Sequence, residues 1–286
     1  MYSNIKYWVN YIEDATAVEK TKLLNRLIEN KEHDALLYLL EYKIIDASSK
    51  VNFKDESIPM FSRALRLNDV KACEILSKYG ANLDYNEFCN YCGHPYEKAH
   101  LPLQSLVILK ISNLSRYMEK NVLGYQELLI DAIKNGNATP TILDSYNMTP
   151  ISLLFSTLKF PENYYDGSNF VKMILDLVDM YIHNGLDINK RDKYGKSSLY
   201  YLINKNLFKK ETSELLEYLL ERGATIDGIE DSHIFQNDIH PINLLDMFKM
   251  EKTAILLINA GINLLGVDKE IIKNDEIRKL ITMNLR

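Results

Sequence analysis

Apolar runs with helical spacing end on a glycine again and again along this 286-residue chain. The clearest are "NDVKACEILSKYG" to Gly80, "FVKMILDLVDMYIHNG" to Gly185, "ETSELLEYLLERG" to Gly223 and "KMEKTAILLINAG" to Gly261. "YQELLIDAIKNG", ending at Gly136, is a looser copy. A helix commonly leaves through a left-handed residue, a conformation glycine takes without a side-chain penalty. An earlier counterpart, "KEHDALLYLLEYK", has Lys43 in that place, so its exit should cost energy or take a modified form.

A shorter apolar segment precedes each run. These are "LLNRLI" from Leu23, "PMFSRAL" from Pro59, "LPLQSLVI" from Leu101, "TPISLLF" from Thr149, "SSLYYLI" from Ser197 and "HPINLLDMF" from His240. Threonine or serine caps orphan helix N–H groups, and proline in the first turn has no N–H to leave unpaired. Each unit therefore reads as short helix, tight turn, second helix, glycine exit and polar projection. Six such units cover most of the chain, and units of this kind bury their apolar faces by stacking on neighbours.

The wording of the units resembles the ankyrin repeat, a helix pair with a hairpin-like finger. Thr149, Pro150, Ile151 and Ser152 match its T-P-L-H start, as do His240, Pro241, Ile242 and Asn243, and Leu101, Pro102, Leu103 and Gln104. "GANLD", "GLDIN", "GATID" and "GINLL" match its helix exit, and Asp192, Gly195, Ser197 and Leu199 match the link to the next repeat. The expected fold is an all-α solenoid of six divergent repeats in residues 21–265, capped by a helix in 1–20 and a closing segment in 266–286. Ile5, Trp8, Val9 and Ile12 share one face of the first helix, with Asn4 as its cap; Ile271, Ile272, Ile277, Leu280 and Ile281 supply the closing one.

Departures from the pattern are local. Unit one lacks its proline and exit glycine, and Pro59 falls one place early in unit two. Gly80, Gly136 and Gly185 are 56 and 49 residues apart, against 38 between later glycines and about 33 in the usual repeat. The extra chain is expected near 81–100, 110–124 and 157–168, looping out so that neighbours still stack. The poxviral members of the family often add an F-box-like tail. The final "KNDEIRKLITMNLR" shows none, which argues against that adapter role.

A formal charge of −5, with both signs interspersed, gives no basic face for nucleic acid. Three cysteines, Cys73, Cys89 and Cys92, are too few to staple such a chain and point to a reducing, cytoplasmic setting. No apolar run is long enough for a membrane span. No protease, P-loop, dinucleotide or nucleophile-elbow motif is present, so an enzyme is not expected. His240 reads as a helix cap, His183 as a residue meeting a helix dipole, and Cys73 as core.

What the resemblance implies is protein binding along a concave face and its fingers, by a chain that is a monomer in isolation. The candidates there are Arg63 and Arg66 in unit two, and Lys190, Arg191, Lys193 and Tyr194 in the finger before unit five. Tyr200, Tyr201, Asn204 and Lys205 follow in unit five, and Met247 and Phe248 in unit six. Aromatic and cationic anchors suit a partner with acidic and apolar features; similarity to viral and intracellular-pathogen ankyrin proteins implies a host protein and a host-directed effector. No cofactor is expected. The alternatives are self-association, or chemistry in the 85–125 insertions, where Cys89, Cys92, His94 and His100 have ligand types suited to zinc.

Overall fold

The computed structural model describes residues 2–53, 56–89, 99–115, 120–160, 167–226 and 239–285. Its helices follow the units in order. They are α2 (Ala17–Glu29) and α3 (His33–Glu41), α4 (Met60–Arg66) and α5 (Val70–Lys78), α6 (Leu103–Ser115) and α7 (Lys120–Lys134), α8 (Pro150–Thr157) and α9 (Gly167–His183), α10 (Ser198–Asn206) and α11 (Thr212–Glu221), and α12 (Pro241–Met247) and α13 (Glu251–Asn259). Helices α1 (Tyr2–Asp14) and α14 (Asp275–Asn284) flank them.

The second helices form an unbroken layer: α1, α3, α5, α7, α9, α11, α13 and α14 each pack on the next. In the first-helix layer α2 packs on α4, α6 on α8, and α8 on α10. One contiguous apolar core runs from Trp8 to Ile281, so no unit closes a core by itself. Leu215, Leu216 and Leu219 of α11 and Leu257 of α13 are buried, and Leu220 and Leu256 are partly buried against the same core.

Helix ends follow local chemistry. At Gly80 the N–H donates to the Ser77 carbonyl and the next N–H to Leu76; at Gly223 the acceptors are Leu220 and Leu219. Lys43 makes the same two bonds, its own N–H to Leu40 and that of Ile44 to Leu39, at a left-handed φ of 55°. The modified exit is thus an ordinary glycine-type exit forced on lysine.

At the helix starts, Thr149 accepts from the Ser152 N–H at 3.0 Å and Ser197 from the Tyr200 N–H at 3.3 Å. His240 Nδ1 accepts from the Ile242 N–H at 3.1 Å, so the histidine is a cap. Pro150 and Pro241 sit inside their helices, whereas Pro59 stands one place earlier, as the cap residue of α4. Helix α6 has backbone acceptors in place of a side-chain cap: Leu103 and Gln104 donate to the carbonyls of Tyr85 and Leu83.

Three expectations change. The helical layers carry two antiparallel hairpins, β1 (Lys50–Phe53) with β2 (Glu56–Pro59), and β3 (Asn86–Cys89) with β4 (Ala99–Pro102). The extra chain near 110–124 does not simply loop out, because α6 continues to Ser115 and α7 begins at Lys120. Ile111 and Val122, towards the two ends of the segment, are buried, which ties those ends into the stack. Asn4 lies inside α1 instead of ahead of it.

Candidate protein-docking surface

The finger before α10 is built on Asp192. Its carboxylate is buried and accepts from the N–H groups of Tyr194 at 2.8 Å and Lys196 at 2.9 Å, bending the chain into a tight loop completed by left-handed Gly195. The Tyr201 hydroxyl donates to the other carboxylate oxygen at 2.5 Å, tying the loop to α10. Asp144 repeats the design one unit earlier, accepting from Tyr146 and Met148 N–H groups, with Asn147 in the left-handed place. In both loops the tyrosine two residues after the aspartate stands at the turn.

These loops stand side by side. Lys193 N–H donates to the Tyr146 carbonyl at 3.0 Å, and Ser145 N–H to the His100 carbonyl at 3.1 Å. Tyr146 and Tyr194 stack with ring centres 6.3 Å apart, and Lys193 Nζ lies 3.7 Å from the Tyr146 ring centre. Phe88 meets His100 at 5.0 Å at the other end of the row. Tyr194 is 52% exposed, and Lys190, Arg191 and Lys193 are exposed beside it. The outcome is an aromatic row studded with cations, a surface that can meet acidic and apolar groups together.

Other candidates fall elsewhere. Arg63 is buried, donates to Glu29 at 2.5 Å and to Asn25 at 3.1 Å, and lies over the Phe53 ring. Arg66 pairs with the buried carboxylate of Glu87 on β3, which also accepts from Ser62. A carboxylate taken out of water needs such partners, so Arg66 ties β3 to α4, while Arg63 ties α2 to α4 and covers Phe53 of β1, and neither stands free as an anchor. Tyr200 and Tyr201 are buried edge to face, with Lys196 over the Tyr200 ring. Asn204 is half-buried and Lys205 exposed, while Met247 and Phe248 are exposed at the turn between α12 and α13.

Of the four suggested zinc ligands, Cys92 and His94 lie outside the described residues, as does the Cys89 side chain; His100 is exposed against Phe88. Among the described residues no group of three or more His, Cys, Asp or Glu is placed to hold a metal. Cys73 is fully buried, and burial first, then the Asp69 carboxylate, pushes its thiol well above the ordinary value, which disfavours the reactive thiolate. No described helix is long and apolar enough to cross a membrane.

Tyr146, Phe88 and Phe208 escape a reading of the sequence. Tyr146 carried a usable signal, since "DSYNMT" and "DKYGKS" place tyrosine identically after the loop aspartate.

No family model matches the chain. It is 24% identical over 244 residues to an ankyrin repeat protein of Fowlpox virus (strain NVSL), covering 84% of this chain and 38% of that protein. It is 28% identical over 124 residues to an ankyrin repeat protein of Monkeypox virus, covering 43% and 17%. The chain therefore spans well under half the length of these curated relatives. Among solved structures it resembles an ankyrin repeat domain from Acinetobacter baumannii AYE, with a TM-score of 0.53, 15% identity and coverage of 83% of this chain and 97% of that one.

Proposed function

Because the chain is an ankyrin-repeat protein weakly similar to poxviral ones, we propose that it is a non-catalytic module that docks another protein on its finger row. On this reading the pairs from α2/α3 to α12/α13 are six repeats, and α1 and α14 are their caps. The observation that carries it is the exposed Lys193–Tyr194 tip stacked on Tyr146. Such a tip offers rigid aromatic area and a positive charge, which fits a partner segment of acidic and apolar side chains.

The poxviral relatives extend the proposal to a host protein as partner, a host-directed effector role and the host-cell cytoplasm as the place of action, with the chain itself monomeric. The test is a quantitative pull-down from host-cell lysate with the full chain and a Lys193→Glu, Tyr194→Ala variant. Tyr194 is exposed and Lys193 projects from a loop, so the variant should melt like the parent by circular dichroism. A partner bound by the parent and lost by the variant supports the proposal. An unchanged set of bound proteins refutes it.

A further inference from the structure

At the other end of the helix pairs, where each first helix turns into its second, units five and six expose a separate surface. Phe208 follows α10 and Phe248 follows α12, and their rings meet edge to face with centres 5.4 Å apart. The contact hides neither ring: Phe208 is 41% exposed, Phe248 63% and the adjoining Met247 54%. Isolated exposed apolar residues are ordinary, but aromatic rings paired across two units form a patch.

The charge around the patch selects its occupant. Lys205, Lys209 and Lys210 lie on the α10 side and Lys249 follows Phe248; all are exposed, and none forms an ion pair among the described residues. Residues 205–210 and 247–249 hold no acid. Glu211 is buried at the start of α11, while exposed Glu214 and Glu251 lie in the first turns of α11 and α13, where carboxylates complement the helix dipoles. In a two-fold contact of the patch with itself the lysines of both copies would face one another, which disfavours self-pairing there, whereas a segment of opposite sign is favoured.

We propose that the Phe208–Met247–Phe248 patch with its surrounding lysines is a second docking site, which takes a short acidic protein segment anchored by an aromatic or leucine side chain. This rests on the chain being a binding module but not on the finger row being its site. The apolar anchor would cover the exposed ring faces while flanking carboxylates meet the four lysines.

The test uses the full chain and a fluorescein-labelled synthetic peptide rich in Asp and Glu with Phe and Leu anchors, read by anisotropy. A basic peptide with the same anchors and an acidic peptide with Ser in place of them serve as controls. Selective binding of the first peptide is expected, weakened about tenfold or more by Phe208→Ser with Phe248→Ser. Lys205→Glu with Lys209→Glu and Lys210→Glu should also weaken it and flatten its salt dependence. Because the finger row also suits acidic and apolar groups, the comparison is repeated in a Lys193→Glu, Tyr194→Ala background, where the binding that remains should be lost on adding Phe208→Ser with Phe248→Ser.

Absence of binding, or equal binding of a control peptide, overturns the proposal. Binding lost in the finger variant but kept in the Phe208 and Phe248 variant overturns it in favour of the finger row. Self-association by light scattering that Phe248→Ser abolishes, with no peptide bound, overturns it in favour of a second copy.

Discussion

Helix α7 carries Gly124 against α5, and one added methyl group measures how close that approach is. A Cβ at Gly124 would lie 2.7 Å from Val70 Cγ1, with Glu74 Oε1 next at 3.7 Å. Non-bonded carbons rest at roughly 3.5–4.0 Å, so the new methyl overlaps Val70 by about 1 Å. Val70 opens α5 and is β-branched, which leaves its χ1 little freedom to swing away. Two terms oppose each other. Replacing glycine by alanine inside a helix gains about 1 kcal/mol, while overpacking costs about 1–3 kcal/mol. Gly124→Ala is therefore expected to destabilise by up to about 2 kcal/mol, against the propensity scale. Val70→Ala removes the obstructing methyls, so in a double-mutant cycle the pair should be more stable than the sum of its singles by about 1–3 kcal/mol. Urea unfolding of the four proteins by far-ultraviolet circular dichroism, with midpoints and slopes compared, reads this directly. Additive effects within about 0.5 kcal/mol would show that α7 and α5 do not meet at this point.

Lys43→Gly relieves a left-handed strain of about 1–2 kcal/mol but frees the unfolded chain by about 0.4–1 kcal/mol, so a net gain of up to about 1.6 kcal/mol is expected in the same assay. Leu219→Ala should lose about 2–5 kcal/mol through transfer and cavity terms, and an unchanged midpoint would contradict its burial. His240 contributes a pH dependence. Burial lowers its affinity for a proton, outweighing the bond from its Nε2 to the Asn263 carbonyl, and its Nδ1 must stay bare to accept the Ile242 N–H. Its folded pKa lies below the unfolded value of about 6.5, so the unfolded chain binds more protons. The associated stability is complete above that value and declines as pH falls below it. His240→Thr, which keeps a capping oxygen, should flatten this decline in thermal melts between mildly acidic and neutral pH.

The periodic parts of the fold were legible because they are local. An exit glycine, a capping threonine or serine and a first-turn proline act within one helix end, and the bonds at Gly80, Gly223, Thr149 and Ser197 are the ones their spacing announces. Lys43 was legible even as an exception. Arg63 and Arg66 were not, since the carboxylates that hold them, Glu29 and Glu87, are 34 and 21 residues away and one belongs to an irregular finger. The segment near 110–124 misleads for a related reason: its excess over the repeat length signals insertion, yet its described ends belong to α6 and α7. Phe208 was invisible because it falls between helices, and only the ring of Phe248 across the unit boundary gives it significance.

The backbone bonds from Ser145 to His100 and from Lys193 to Tyr146 fasten three successive fingers to one another. At these points the loops are held to one another whether or not a partner is present. A partner docking on this edge, as proposed, would forfeit less conformational entropy, and the fixed spacing of Tyr146 and Tyr194 would act as a ruler, favouring ligands whose own side chains keep the same pitch.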